Sequence, residues 1–398
     1  MLTSQKKILL ITAGTNDDKN SSWLVYQKFI EQINLKHGNK IEVVCFSPKY
    51  RREQSTLKET IFRTIFRKKL VAAIMSRVIK QFNYYVVCFY AHLYTKPLLK
   101  IINQKEIDIL WLHSDLLTTK IISNIRKVKN IPYHYTIYDD PFTNKFYSNF
   151  KEKAQKLFRD VLFKAKSIDT PTMYLANYYR ENNYISDNCI YTESLVGLFK
   201  NATTFPIIRS KISKICLAGS IYGIDAFENF LQAIYPIINA NNIEVHVITN
   251  VPKIYIKYLE KNYPYIHKLV IFKNFVPEKN IINKLQEYDL LYLPMLFDPK
   301  HRFKTNSSFP SKTHNYLASG VPIIVHTPLN SSLDLFFKSN NIGCIINSLD
   351  LKEIESKFLQ IMEEPERKRL SKEIQLITNK LAENKHLDQL YALITTNV

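Results

Sequence analysis

Phe309-Pro-Ser-Lys-Thr-His-Asn-Tyr-Leu-Ala-Ser-Gly-Val-Pro-Ile-Ile-Val325 reads as a short helix, a glycine stop and a buried strand. Lys312 to Ser319 carries good helix formers. Gly320 fits the left-handed position past a helix end, and Pro322 bars continuation. Ile323, Ile324 and Val325 form a β-branched run suited to a central parallel strand. Lys312, Asn315 and Ser319 recur at i, i+3 and i+7, so the spacing places them on one helix face, near an end that can receive anionic oxygens. One polar face therefore points out of a buried scaffold.

Strand, turn and helix patterns repeat on both sides of this stretch. Downstream lies Cys344-Ile-Ile346, and upstream lie Ile215-Cys-Leu-Ala-Gly219, Ile243–Ile248, Leu269–Phe272 and Tyr288–Pro294. The front half offers Lys7-Ile-Leu-Leu-Ile-Thr-Ala-Gly14, a strand ending in a turn, then Ile41–Phe46, Ile109–Leu112, Tyr133–Tyr138 and Ser167–Thr170, with helical patterns between several of them. Such alternation predicts an α/β fold with doubly wound parallel sheets, whose ligands bind past the strand carboxyl ends. A chain of 398 residues holds two cores of ordinary size. The expected divisions are an N-terminal domain over 1–195, a linker over 196–211, a second domain over 212–375, and a terminal helix over 376–398 packing back on the first domain.

Hydrophobic residues make up 46% and charged residues 23% of the chain, which excludes disordered and disulfide-scaffold classes. No run of about 18 uncharged apolar residues is present, and the start lacks a cleavage-type segment. A cytoplasmic protein is the expectation. The five cysteines are odd in number and share no C-x-x-C spacing, so neither a zinc site nor a disulfide framework is expected. Charge is uneven: residues 1–200 hold 32 Lys and Arg against 17 Asp and Glu. Its densest part, residues 49–80, interleaves basic residues with Ile61, Phe62, Ile65, Phe66, Leu70 and Ile74. That pattern fits a basic amphipathic segment on an anionic membrane surface, or a solvated helix over the core. Nucleic acid is not an expected partner, because no binding module and no stacking platform is recognisable.

The segment Pro310–Ile324 resembles the donor site of GT-B glycosyltransferases of the family 4 type, which often read Pro-Ser-Lys-x-x-Glu-Tyr-Leu-Ala-x-Gly-x-Pro-Val-Ile. Here Asn315 stands where the family commonly has the glutamate that holds the donor ribose. The resemblance implies two Rossmann-like domains facing a central cleft, with Pro310, Ser311, Lys312, Asn315 and Ser319 on the donor side. Gly219-Ser-Ile-Tyr-Gly223 lies where the family has a glycine-serine turn near the diphosphate, which adds Gly219, Ser220 and Tyr222. The family often carries an Arg and a Lys shortly after this turn, and Ser220–Phe227 has neither. Charge for the diphosphate then falls first to Lys312, with Arg302, Lys304 or helix ends as alternatives. Asn274, Phe275 and Val276 occupy the place where relatives hold the nucleobase. On the acceptor side the family's His-Asp aligns with Tyr138 and Asp139, so Asp139, Asp140 and His113 are the candidate catalytic residues, Asp139 serving either as base or as a helix cap.

No metal site is expected, since there is no Asp-x-Asp at a strand end and no His/Cys cluster. No cofactor is expected either, the nucleotide-sugar being a substrate. The implied activity is sugar transfer from a nucleotide-sugar to a glycan or lipid-linked glycan in surface polysaccharide synthesis. The alternatives are an epimerase of the same fold and a non-catalytic binding protein.

Overall fold

The computed structural model describes residues 6–12, 30–31, 41–45, 69–137, 140–142, 150–193, 206–382 and 385–395, with backbone alone at 41–45, 69–83, 278, 382 and 385–387. The chain divides into two compact units, Met1–Gly197 with Asn384–Val398, and Leu198–Glu383. Asp139, residues 49–68 of the basic segment and most of the expected linker lie outside the described residues.

The first unit is built on six parallel strands: β1 (Ile8–Thr12), β2 (Ile41–Cys45), β3 (Ile109–His113), β4 (Tyr133–Thr136), β5 (Ser167–Thr170) and β6 (Ile190–Glu193). Their order is β2-β1-β3-β4-β5-β6. Between them run α1 (Lys69–Gln104), α2 (Leu116–Ile125), α3 (Lys151–Phe163) and α4 (Met173–Glu181). Ile8–Ile11 and Leu110–Leu112 are fully buried, as expected where helices cover both sheet faces. β6 has no apolar run to announce it; Ile-Tyr-Thr-Glu is a partly exposed edge strand.

The last helix, Lys385–Thr395, returns to this unit, and Leu390, Leu393 and Ile394 are buried there. Ser167 Oγ donates to Leu393 O at 3.1 Å and lies 2.9 Å from His134 Nδ1, while His134 Nε2 sits 2.8 Å from Asp169 Oδ1. The order suggests a nucleophile, a base and an acid. All three are buried, however, and the serine proton is committed to a helix carbonyl, so the chain acts as a latch for the last helix.

The second unit contains β7 (Lys214–Ala218), β8 (Glu244–Thr249), β9 (Val270–Asn274), β10 (Leu290–Pro294), β11 (Ile323–His326) and β12 (Cys344–Ile346). The order is β12-β11-β10-β7-β8-β9, all parallel. The helices are α5 (Ile224–Ala240), α6 (Lys253–Asn262), α7 (Pro264–Leu269), α8 (Glu278–Leu285), α9 (Arg302–Ser307), α10 (Lys312–Ser319), α11 (Ser332–Ser339), α12 (Leu351–Met362) and α13 (Glu364–Ala382); the last helix is therefore α14. Alternation along the strands builds two cores. Ile215, Leu217, Val245, Val247 and Tyr292 pack with α5 and α12, whereas Cys216, Ala218, Ile248, Leu291 and Leu293 pack with α8, α10 and α13. Gly320 takes the left-handed conformation at φ 70° and ends α10.

Two buried charges pin the edge of this unit. Asp289 accepts from Ser213 N, Lys214 N and Ser213 Oγ at 2.8–2.9 Å and from Arg209 at 3.1 Å, which fixes the entry into β7. Arg367 sits in the first turns of α13, a helix that continues through 375 to Ala382 before the chain leaves for the first unit at Asn384.

Candidate functional site

In the second unit the chain leaves β7 toward β8 and β9, and later leaves β10 toward β11 and β12 on the opposite side. A crevice opens where the order reverses, past the carboxyl ends of β7 and β10. Gly219 follows β7 with φ 87°, a conformation that costs a side-chain-bearing residue. At Gly223 a Cβ would lie 2.1 Å from Met295 O. The turn after β7 therefore touches the loop after β10 backbone to backbone, and only glycine permits that approach.

Tyr316, one helical turn beyond Lys312, locks α10 to both strands. Its hydroxyl accepts from Ala218 N at 2.7 Å and donates to Tyr292 O at 3.2 Å. The neighbouring His326 is buried, which lowers its pKa to about 4 and keeps it neutral. Its Nε2 donates to Ser348 O at 2.6 Å, and its own carbonyl accepts from Met295 N at 2.8 Å. Sequence reasoning passed over both residues. A buried tyrosine does require a hydroxyl partner, but nothing in the pattern says which strands supply it.

Lys312 opens α10 and projects over the glycine turn. Its ammonium donates to Ser220 O and lies 4.9 Å from the centroid of the Tyr222 ring. A Cβ at Gly219 would sit 3.8 Å from Lys312 Cε. Lys312 is half-buried and its bond to the carbonyl of the exposed Ser220 lies open to water, while burial of the rest of the side chain pushes its pKa down to about 7. Remaining solvent contact tempers the size of this effect and not its sign.

The other expected donor residues divide into three groups. Gly219, Ser220 and Tyr222 gather around Lys312 as just described. Pro310 is buried and accepts from Thr313 N at 2.9 Å, Ser311 is exposed at the helix start, and Asn315 is half-buried on α10. Asn274 and Val276, at the end of β9 and just beyond it, help line a cavity of about 360 Å³ together with Ile248, Tyr288 and three lysines, Lys214, Lys273 and Lys284. Phe275 is 51% exposed beside them. Because Ala218 pairs with Ile248 and Thr249 with Asn274, the turn after β7 and the loop after β9 share one sheet edge.

Ser319 is the correction. It does not share the outward face of Lys312, since it is fully buried, with Oγ donating to Tyr316 O at 2.7 Å and accepting from Val321 N at 3.3 Å. The carboxyl end of α10 sinks into the unit, so the last polar residue of the expected stripe closes the helix.

In the first unit, His113 ends β3, where its Nδ1 lies 3.6 Å from Asp115 Oδ2. Asp115 in turn caps α2 by accepting from Thr118 N at 2.8 Å. Asp140 follows β4 and is 7% exposed. It accepts from the Tyr179 hydroxyl at 2.7 Å, and burial together with this carboxylate raises the Tyr179 pKa well above its ordinary value. Asp140 thus ties its loop to α4.

Residues 248–393 match the family model described as glucosyltransferase 3-like, C-terminal domain. No curated protein sequence matches the chain. Solved structures do, over nearly their whole length. Sucrose-phosphate synthase from Thermosynechococcus elongatus is similar with a TM-score of 0.68 and 12% identity, over 97% of this chain and 98% of that one. The chain has the GT-B fold of glycosyltransferases. A structure described as trehalose-6-phosphate from E. coli bound with UDP-2-fluoro glucose gives 0.68 at 11% identity, over 99% and 100% of the two chains. A glycosyltransferase from Rickettsia africae gives 0.62 at 14% identity, over 100% of both. Within this GT-B chain, the family match takes in β9 to β12 and the whole of α10, the helix that presents Lys312.

Proposed function

We propose that this chain is a glycosyltransferase whose second unit holds a nucleotide-sugar and whose acceptor is a glycan or lipid-linked glycan. The observation that carries the reading is Lys312, held over the Gly219–Gly223 turn at the switch point of a parallel sheet. In the reaction the bond from the anomeric carbon to the diphosphate oxygen breaks, and its electron pair leaves with the nucleoside diphosphate. The acceptor hydroxyl oxygen bonds to the anomeric carbon, and its proton passes to a base. Lys312 stabilises the charge on the leaving diphosphate, a contribution that is usually the largest single one. Asp140 is engaged with Tyr179, so in this reading Asp139 or His113 is the base. No divalent cation takes part, and activity persists in EDTA; loss on chelation with recovery on adding Mg²⁺ counts against that part.

A thermal-shift panel of UDP-, GDP-, CMP- and dTDP-sugars is the first test, because a ligand that binds only the folded state raises its apparent stability. One donor class is expected to shift the transition. Product analysis then separates the readings: turnover only with acceptor supports transfer, conversion of donor alone supports an epimerase, and tight binding without turnover supports a binding protein. A shift from none of the donors overturns all three.

Asn315→Glu is expected to tighten binding of that donor severalfold, since an ionised carboxylate accepts from a ribose hydroxyl more strongly than an amide does. Unchanged affinity by calorimetry removes Asn315 from the ribose site.

Contact with an anionic membrane surface is the remaining part of the proposal. Among the described residues no helix is long and apolar enough to cross a membrane. The described turns of α1 instead expose Tyr85, Phe89 and Leu93 at four-residue spacing, by 55%, 58% and 40%, followed by exposed Lys96 and Lys100. Aromatic and basic residues on one helix face suit the lipid interface. The full chain is expected to float with anionic vesicles at low salt and to be released at high salt; failure to float removes the membrane from the reading.

A further inference from the structure

We infer that Tyr222 is a positioning residue for Lys312, holding the ammonium in place without neutralising it. The inference rests on the donor-site reading above. Tyr222 lies in the Gly219–Gly223 turn and is 40% exposed, and its ring stands 4.9 Å from Lys312 Nζ. Nζ also donates to the main-chain oxygen of Ser220 in the same turn. Both partners are a dipole or a quadrupole and neither is an anion. They draw the ammonium over the turn and leave its full charge for an incoming diphosphate.

A carboxylate in either place would hold the lysine as firmly but would repel the ligand. Burial disfavours the charged form of Lys312, which makes a partner that favours the cation useful before any ligand arrives. The turn has little freedom to wander, because Gly223 is pressed against Met295 O. Tyr222 therefore acts through Lys312 rather than on the sugar or the base.

The test compares Tyr222→Phe, which keeps the ring face, with Tyr222→Leu, which removes it, using the donor found in the thermal-shift panel. Tyr222→Leu is expected to raise the donor KM about two- to fivefold, the range of one exposed cation–π contact, with kcat at saturation changed less than about twofold and the melting temperature unchanged. Its donor affinity is also expected to fall off at lower pH than that of the wild type, because the ammonium has lost a favourable neighbour. Tyr222→Phe is expected to restore both. In a Lys312→Met background Tyr222→Leu adds no further loss, as a double-mutant cycle requires for coupled residues. A wild-type KM in Tyr222→Leu, an equal loss in Tyr222→Phe, or additive losses in the cycle overturns the inference. If Lys312→Met alone keeps wild-type donor affinity, it is the donor-site reading that fails.

Discussion

Lys312→Met is expected to weaken donor binding about a hundredfold while raising the melting temperature of the ligand-free protein near pH 7. The first effect follows from removing the cation at the switch point; a hydrogen bond between charged groups is worth up to about 3 kcal/mol, about a hundredfold in affinity. The second follows from burial. The folded-state pKa is lowered from 10.5 to about 7, so between those values the unfolded chain binds more protons than the folded one. Stability of the wild type therefore rises with pH across that window. The advantage of methionine shrinks over the same range and is gone near the unfolded value. Donor affinity runs the other way: above about pH 7 the free protein loses the ammonium proton, and binding a diphosphate must restore it. Calorimetry in buffers of different ionisation enthalpy is expected to show proton uptake on binding at pH 7–8. Wild-type donor affinity in Lys312→Met would falsify the assignment, and a lower melting temperature would show that the ammonium stabilises the empty site.

Arg367→Met is expected to give the largest loss of stability and little loss of donor affinity in the protein that remains folded. Arg367 is 1% exposed. Nη1 donates to Ile361 O at 3.1 Å and to Met362 O, and Nη2 donates to Arg209 O and Ser210 O, each at 2.9 Å. One guanidinium thus fastens the entry of the second unit to the corner between α12 and α13. Methionine preserves most of the stem but takes the charged donor from the buried Ile361 carbonyl and from three part-buried ones, a penalty of about 3 kcal/mol, the upper range for hydrogen bonds to a charged group. For a unit of this size each kcal/mol lowers the transition by about 2–4 °C, so a fall of about 10 °C is expected in calorimetry. Arg367→Lys should recover little, since an ammonium cannot span two pairs of carbonyls in a fork. A fall below about 3 °C for the methionine variant is incompatible with this role.

The sheet strands were legible because burial on both faces demands uninterrupted apolar runs, as in Ile8–Ile11, Leu290–Leu293 and Ile323–Val325. β6 was not, because an edge strand can be as mixed as Ile190-Tyr-Thr-Glu193. Nor does Pro97 announce a helix, yet α1 runs through it. At the site, Lys312 and the glycine turn could be named from the resemblance of their motifs to the GT-B donor site. Their meeting depends on Tyr316 and on the approach of Gly223 to Met295, contacts between segments about 70–100 residues apart that no local pattern encodes. Ser319 was misplaced for a related reason. Helical periodicity gives the angle around the axis but not the depth to which each end of the helix is sunk.

The discontinuity of the first unit bears on how the chain is made. Its six strands are complete once Glu193 leaves the ribosome, but the helix that covers Ser167 and Lys6 follows only after the whole second unit, with partners 226 and 389 residues apart. At roughly 5–20 residues per second that gap lasts on the order of 10–40 s. The second unit, continuous from Leu198 to Glu383, has all its parts available before the first does. During synthesis the order of completion is therefore the reverse of the order of sequence, and the nascent chain carries an uncapped sheet until the turns of α14 emerge.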